Sequence, residues 1–223
     1  MLKTESKPTL RWRVAQYLER RWWQRYLRGK LPADYLRDKK AYWKRTLDQL
    51  DWPPVLGRKV LDAGCGPAGV YIYLNGIETV TALDPLLENY EAELNIFRRE
   101  DYPNVKFLAQ PLEDPFDDEL AFDAIYCFNA INHVSDWDAA IDTLTAHARP
   151  GTRLLMTSDV HRHKLLLPNF KALPGDALHP QQHGPEAYRN ALQQRGWRIE
   201  REHLLRRESI FDYTAWVAVW EGE

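Results

Sequence analysis

The residues best suited to chemistry lie in Asp62-Ala63-Gly64-Cys65-Gly66-Pro67-Ala68-Gly69. Glycines at 64, 66 and 69 permit a tight turn and let a ligand lie against the backbone. Val60 and Leu61 lead into the acid as the end of a short buried strand. Pro67 suits the first turn of a following helix, where its missing N–H costs little. A helix starting there offers unpaired N–H groups to an anion. A second acid, Asp84, closes the run Thr79-Val80-Thr81-Ala82-Leu83, 22 residues after Asp62. At the tip of a second strand it can accept both hydroxyls of a ribose.

Two classes of cofactor fit such a loop. Gly-x-Gly-x-x-Gly by itself serves dinucleotides and S-adenosylmethionine alike. Asp62 weighs against a dinucleotide, because a carboxylate beside the turn repels a pyrophosphate. It favours S-adenosylmethionine, whose amino acid end carries an ammonium that a carboxylate can hold directly or through water. Three further stretches stand in order after VLDAGCGPAG at 60–69: ALDP at 82–85, FDAIYCFNAINHV at 122–134 and ARPGTRLLMTSD at 148–159. With these the chain resembles the class I S-adenosylmethionine-dependent methyltransferases of the small-molecule type, over roughly 57–220.

The resemblance implies an α/β fold, a Rossmann-like doubly wound seven-stranded sheet of order 3-2-1-4-5-7-6 with the last strand antiparallel. It assigns Asp62, Gly64, Cys65 and Gly66 to the amino acid end of the cofactor, and Asp84 with Pro85 to the ribose. The stretch 110–116 lies where the family holds the adenine. Many relatives carry an Asp where this chain has Pro111, so either Glu113 or backbone N–H groups near Leu112 and Glu113 do the reading. Asn129 faces the methionine part. Where the family often has a His-Val pair, this chain has His133-Val134. His133 is the candidate base if the acceptor must lose a proton, and a structural hydrogen-bonding histidine is the other reading. Asn129-Ala130-Ile131-Asn132 lacks the Asp-Pro-Pro-Tyr type signature of enzymes that methylate exocyclic base amines. That points to a small-molecule acceptor and away from nucleic acid.

The elements that must position these residues alternate strand with helix. Strands are expected at 59–62, 79–83, 105–109, 123–128 and 153–157, with helices at 68–75, 86–99 and 136–148 and a turn at 149–151. Ala124-Ile125-Tyr126-Cys127-Phe128 is apolar throughout, as a strand covered on both faces requires. Such alternation gives right-handed crossovers and a parallel sheet, with ligands at the carboxyl ends of its strands. Pro185–Arg195 reads as a further helix, and 197–205 and 211–220 as closing strands.

Residues 1–52 form a basic, Trp-rich helical cap, joined by Asp51-Trp52-Pro53-Pro54 to the main domain, 53–223. Helices are expected at 9–28 and from Pro32 to Leu50. Residues 1–45 hold 14 Lys/Arg against 4 Asp/Glu, while the whole chain has a net charge of −2. The cap can pack its apolar stripe on the acidic main domain, lie on a membrane surface in transient contact, or meet nucleic acid. Trp12, Tyr17, Trp22 and Tyr26 could form an acceptor wall, with core packing as the default.

Residues 160–184 break the alternation and read as a lid or substrate loop. His161, His163, His179 and His183 fall in it as acceptor-lining candidates. A metal site is not expected there, because prolines interrupt the spacing and no Cys lies nearby. Two cysteines, Cys65 and Cys127, make no disulfide framework and suit a reducing cytoplasm. No run of 18 apolar residues predicts a membrane span, and nothing in the pattern sets the oligomeric state. Two other classes compete with a small-molecule methyltransferase. One is an NAD(P)-dependent oxidoreductase on a similar sheet. The other is a non-catalytic cofactor-binding module acting through its basic helices.

Overall fold

The computed structural model describes residues 9–116, 121–161, 181, 183–208 and 211–222. Two helices come first, α1 (Leu10–Tyr26) and α2 (Pro32–Gln49). Thr9 caps α1 by accepting the Trp12 N–H at 3.2 Å, and Pro32 opens α2 at a position that needs no donor. Then come β1 (Lys59–Ala63), α3 (Tyr71–Leu74), β2 (Thr79–Leu83), α4 (Leu87–Glu93), β3 (Val105–Leu108) and β4 (Phe122–Phe128). The chain continues through α5 (Trp137–Ala146), β5 (Ala148–His161), α6 (Pro185–Gln193), β6 (Trp197–Arg207) and β7 (Phe211–Trp220).

The sheet has seven strands in the order β3-β2-β1-β4-β5-β7-β6. β1 to β5 run parallel, and β7 is antiparallel to both β5 and β6. The order and the inserted last strand are those the resemblance implies. Alternate residues of the central strands feed two cores. Ala124, Tyr126 and Phe128 of β4 join Val60, Val80 and Val217 on one face, with Trp43, Leu47, Leu50 and Trp52 from α2 and the chain after it. Phe122, Ile125 and Cys127 join Leu61, Leu154 and Trp216 on the other face, with Ile141, Leu144, Tyr188 and Leu192 from α5 and α6. A period of two on a strand and helices on both faces produce this division. α2 is thus built into the core of the sheet.

Three boundaries depart from expectation, each for a local reason. The helix expected at 68–75 is a 3-10 turn at Gly66–Ala68 followed by the single-turn α3. Gly69 is extended between them, and the Asp62 carboxylate accepts the Tyr71 N–H at 3.0 Å, so no continuous ladder forms. The helix expected to reach Arg99 stops at Glu93, because Leu94 turns extended. The expected turn at 149–151 lies inside β5. There the register with β4 shifts between Phe122 and Ala124, and Gly151 takes φ +91°. A bulge absorbs the turn residues while the strand continues.

Candidate active site

The carboxyl ends of β1, β2 and β4 open onto one cavity of about 560 Å³. The glycine loop forms its floor. Gly64 and Gly66 adopt left-handed backbone with φ +69° and +58°. A Cβ added to Gly64 would stand 2.2 Å from the Cβ of Ala130, so the loop after β4 closes directly on the loop after β1.

The loop's amides are not left for an external anion. The Gly64 and Cys65 N–H groups both donate to the Leu83 carbonyl, at 2.7 and 3.0 Å. Gly66 donates to Asp84 at 2.9 Å, and Leu86 donates to the other Asp84 oxygen at 2.8 Å. Tyr71 donates to Asp62. The expected helix-start anion site is therefore corrected: the acids of this chain fill that role. Burial pushes Asp62 up to about 7 and raises Asp84 in the same direction, with Glu19 adding to the rise at Asp84. Burial raises the Cys65 thiol far above its usual value, so it stays protonated.

Gly64, Cys65, Gly66, Asp84, Pro85, Leu112, Glu113, Asn129 and His133 all line the cavity. Asp62 does not line it. The acid sits behind the loop and shapes it, so the expected direct hold on a ligand ammonium is not what its placement favours. Glu113 accepts the N–H groups of Ser135 and, at 3.2 Å, Asp136. It thereby ties the loop after β3 to the loop after β4. Asn129 takes φ +50°, rare for a residue with a side chain. Its N–H donates to both the carbonyl and the hydroxyl of Thr157, each at 3.0 Å. The Tyr213 hydroxyl meets the same Thr157 hydroxyl at 2.7 Å. These contacts fix the left-handed turn at the carboxyl end of β4.

His133 Nδ1 lies 4.0 Å from Glu19 Oε2 of α1, and Glu19 accepts from the Tyr90 hydroxyl at 3.0 Å. The helix pair forms the roof. Trp12 and Trp22 line the cavity, while Tyr17 and Tyr26 do not. Tyr26 instead stacks on Trp22 at 4.7 Å between ring centres.

His183 is a second correction. Its ring stacks on Trp137 at 4.0 Å and its Nε2 lies 3.4 Å from Gln181 Oε1, so it belongs to packing around α5 rather than to the cavity. His161 ends β5 opposite Phe211, and only its backbone is described. His163 and His179, with most of the expected lid, lie outside the described residues. Among the described residues no cluster of metal-binding type occurs, and no helix is long and apolar enough to cross a membrane.

Sequence reasoning missed Gln16, Glu19, Trp23, Lys39, Tyr42, Trp43, Asp159, Arg206 and Tyr213. Lys39, Tyr42 and Trp43 stand at i, i+3 and i+4 on α2, a spacing that puts them on one face. Trp43 also fixes the roof to the loop, donating its indole N–H to the Ala68 carbonyl at 3.0 Å.

Compared with known families, residues 35–202 match the family described as "Methyltransferase domain". The chain belongs to that family. Membership brings the family's cofactor, S-adenosylmethionine, and removes the dinucleotide oxidoreductase alternative. The chain is 28% identical over 126 residues to the ubiquinone biosynthesis O-methyltransferase of Rickettsia akari. The aligned part is 56% of this chain and 45% of that relative, so this chain spans about half the length of the curated relative it matches. Among solved structures, YcgJ from Bacillus subtilis superposes with TM-score 0.63 at 15% identity, covering 84% of this chain and all of that one. The 1,6-didemethyltoxoflavin-N1-methyltransferase of Burkholderia thailandensis superposes with TM-score 0.59 at 15% identity, covering 99% and 93% of the two chains. Both show the fold.

The residues of the cavity fit S-adenosylmethionine. Left-handed Gly64 and Gly66 bring backbone to its floor, and a Cβ at Gly64 would collide with that of Ala130. The Asp84 carboxylate is in the wall with each oxygen holding one backbone amide, and a carboxylate oxygen can accept a further donor.

Proposed function

We propose that this methyltransferase moves the methyl of S-adenosylmethionine to a small-molecule acceptor held under the α1–α2 roof. The observation that carries this is the single cavity joining the glycine loop and Asp84 to an aromatic wall. Its volume of about 560 Å³ suits one cofactor end and one small acceptor. S-adenosylmethionine supplies a methyl on a sulfonium, already electrophilic and with a neutral leaving group. The chain's own work is then placement. Asp84 and Pro85 hold the ribose, the side-chain-free backbone at Gly64 and Gly66 makes room for the amino acid end, and Leu112 and Glu113 face the adenine. Asn129, pinned by Thr157, sets the floor beside the reacting atoms.

His133 is the group placed to take a proton from an acceptor hydroxyl or amine, with Glu19 of α1 orienting it across the cavity. Glu19 belongs to the roof, so a displaced roof would remove the partner of the base. The similar proteins, a ubiquinone biosynthesis O-methyltransferase and a 1,6-didemethyltoxoflavin-N1-methyltransferase with bound 1,6-didemethyltoxoflavin, support a small acceptor.

The test uses the full chain with methyl-labelled S-adenosylmethionine and a panel of ring hydroxyl and ring amine compounds. Label should move into a small organic product. Bound S-adenosylhomocysteine with label transferred only to added protein or nucleic acid would overturn the proposal.

A further inference from the structure

The cavity has two electrostatically different ends. Around the glycine loop its wall is acidic, with Glu19, Asp84 and Glu113. Along α2 and at the ends of β5, β6 and β7 it carries Lys39 and Arg206 beside Tyr42, Trp43 and Tyr213, with Asp159 the acid at that end.

Lys39 is the unusual group. It is half-buried, and its ammonium lies 4.7 Å from the Tyr42 ring centre and 5.1 Å from that of Trp43. Among the described residues it has no carboxylate partner. Arg206, by contrast, pairs with Glu208 at 2.7 Å. A buried ammonium ordinarily sits against a carboxylate. Aromatic faces compensate only in part. Burial, with Lys30 as a like charge nearby, pulls the Lys39 ammonium down to about 8. An anion beside it relieves both effects. The aromatic wall next to it continues from Trp43 to Phe128, whose rings lie 4.8 Å apart at 47° to each other, and so reaches the carboxyl end of β4.

We propose that Lys39 binds the carboxylate of a ring-bearing acceptor that lies along Trp43 and Phe128. The proposal rests on the methyltransferase reading and names its substrate class. The acidic end of the cavity suits the cationic cofactor, and Lys39 gives the acceptor the opposite sign. Opposed charges fix which way the acceptor enters, and so which of its atoms faces the cofactor.

The test titrates the full chain, saturated with S-adenosylhomocysteine, by tryptophan fluorescence. The probes are 4-hydroxybenzoate and its uncharged counterpart 4-hydroxybenzamide. The carboxylate should bind about tenfold tighter, the effect of one charge-assisted hydrogen bond. Lys39→Met should bring the two affinities together, and Lys39→Arg should restore the preference. Unchanged 4-hydroxybenzamide and S-adenosylhomocysteine affinities show that a variant is folded, and Lys39→Gln replaces the methionine variant if it is not. Equal binding of the two probes to the wild type, no binding of the carboxylate, or a preference that survives Lys39→Met overturns the proposal. S-adenosylhomocysteine binding is read on the same samples. Its absence in the wild type sinks the methyltransferase reading, and the bare chain's preference between the two probes then still decides the role of Lys39.

Discussion

Alanine at Gly64 perturbs the loop where its geometry is tightest. Gly64 has φ +69°, and a Cβ there would stand 2.2 Å from the Cβ of Ala130. Two separable costs follow. A left-handed backbone costs alanine about 1–2 kcal/mol. The overlap pushes Ala130 and its strained neighbour Asn129, and overpacking of this kind costs about 1–3 kcal/mol. Gly64→Ala should therefore lose roughly 2–5 kcal/mol of stability, the sum of those two ranges. Gly76 is the control, with φ +83° and no atom within 4 Å of an added Cβ. Gly76→Ala should lose only the backbone part, about 1–2 kcal/mol. Urea unfolding followed by fluorescence measures both. Adding Ala130→Gly to Gly64→Ala should recover the overlap part, about 1–3 kcal/mol, as a coupling energy in the double-mutant cycle. Affinity for S-adenosylhomocysteine should fall more than about tenfold in Gly64→Ala, since Ala130 and Asn129 line the cavity, and stay unchanged in Gly76→Ala. Equal destabilisation at the two glycines, or no recovery in the double variant, refutes the reasoning.

The buried acids make stability depend on pH. A carboxyl raised on folding holds its proton better in the folded chain, so its contribution is full below the unfolded value near 4 and is lost as pH rises through about 7. The urea midpoint of Asp62→Asn should thus gain on that of the wild type between pH 5 and pH 8, and a constant difference would contradict this. His133→Ala should lower kcat about 10²- to 10⁴-fold for an acceptor that loses a proton, with S-adenosylhomocysteine affinity intact. An unchanged kcat would make His133 a packing residue. Glu19→Gln should lower kcat less and shift the acidic limb of its pH profile, and an unmoved limb would remove the orienting role. On the outer face of α1, Leu10, Val14 and Tyr17 are exposed among Arg11, Arg13 and Arg21. That face should carry the protein onto vesicles with anionic lipid in low salt and release it as salt rises; no co-sedimentation at low salt would exclude such contact.

The strands were legible as short, mostly apolar runs alternating with helices, and their order because the chain resembles a family that has it. The floor of the site was legible as well. Gly64, Gly66 and Asp84 are fixed by local backbone chemistry, which spacing records. The loop-shaping contact of Asp62 was not legible, because its reach to the Tyr71 amide depends on Gly69 turning extended, which a motif does not show. His183 was misplaced because stacking on Trp137 joins elements far apart in sequence. The roof was the hardest part to read. Glu19, Lys39 and Trp43 meet the strands only through long-range packing, and on a helix such residues look the same whether they face a core, a cavity or solvent. The short α3 and the bulge in β5 escaped notice because one side chain or one left-handed glycine decides them.

The measurement that bears most directly on the central claim is calorimetric titration of the full chain with S-adenosylhomocysteine and, separately, with NAD. Saturable 1:1 binding of S-adenosylhomocysteine, weakened at least about tenfold in Asp84→Ala and with no heat from NAD, is the predicted result. Binding of NAD in its place, or S-adenosylhomocysteine affinity unaffected by the loss of Asp84, would contradict the cofactor site described for this cavity.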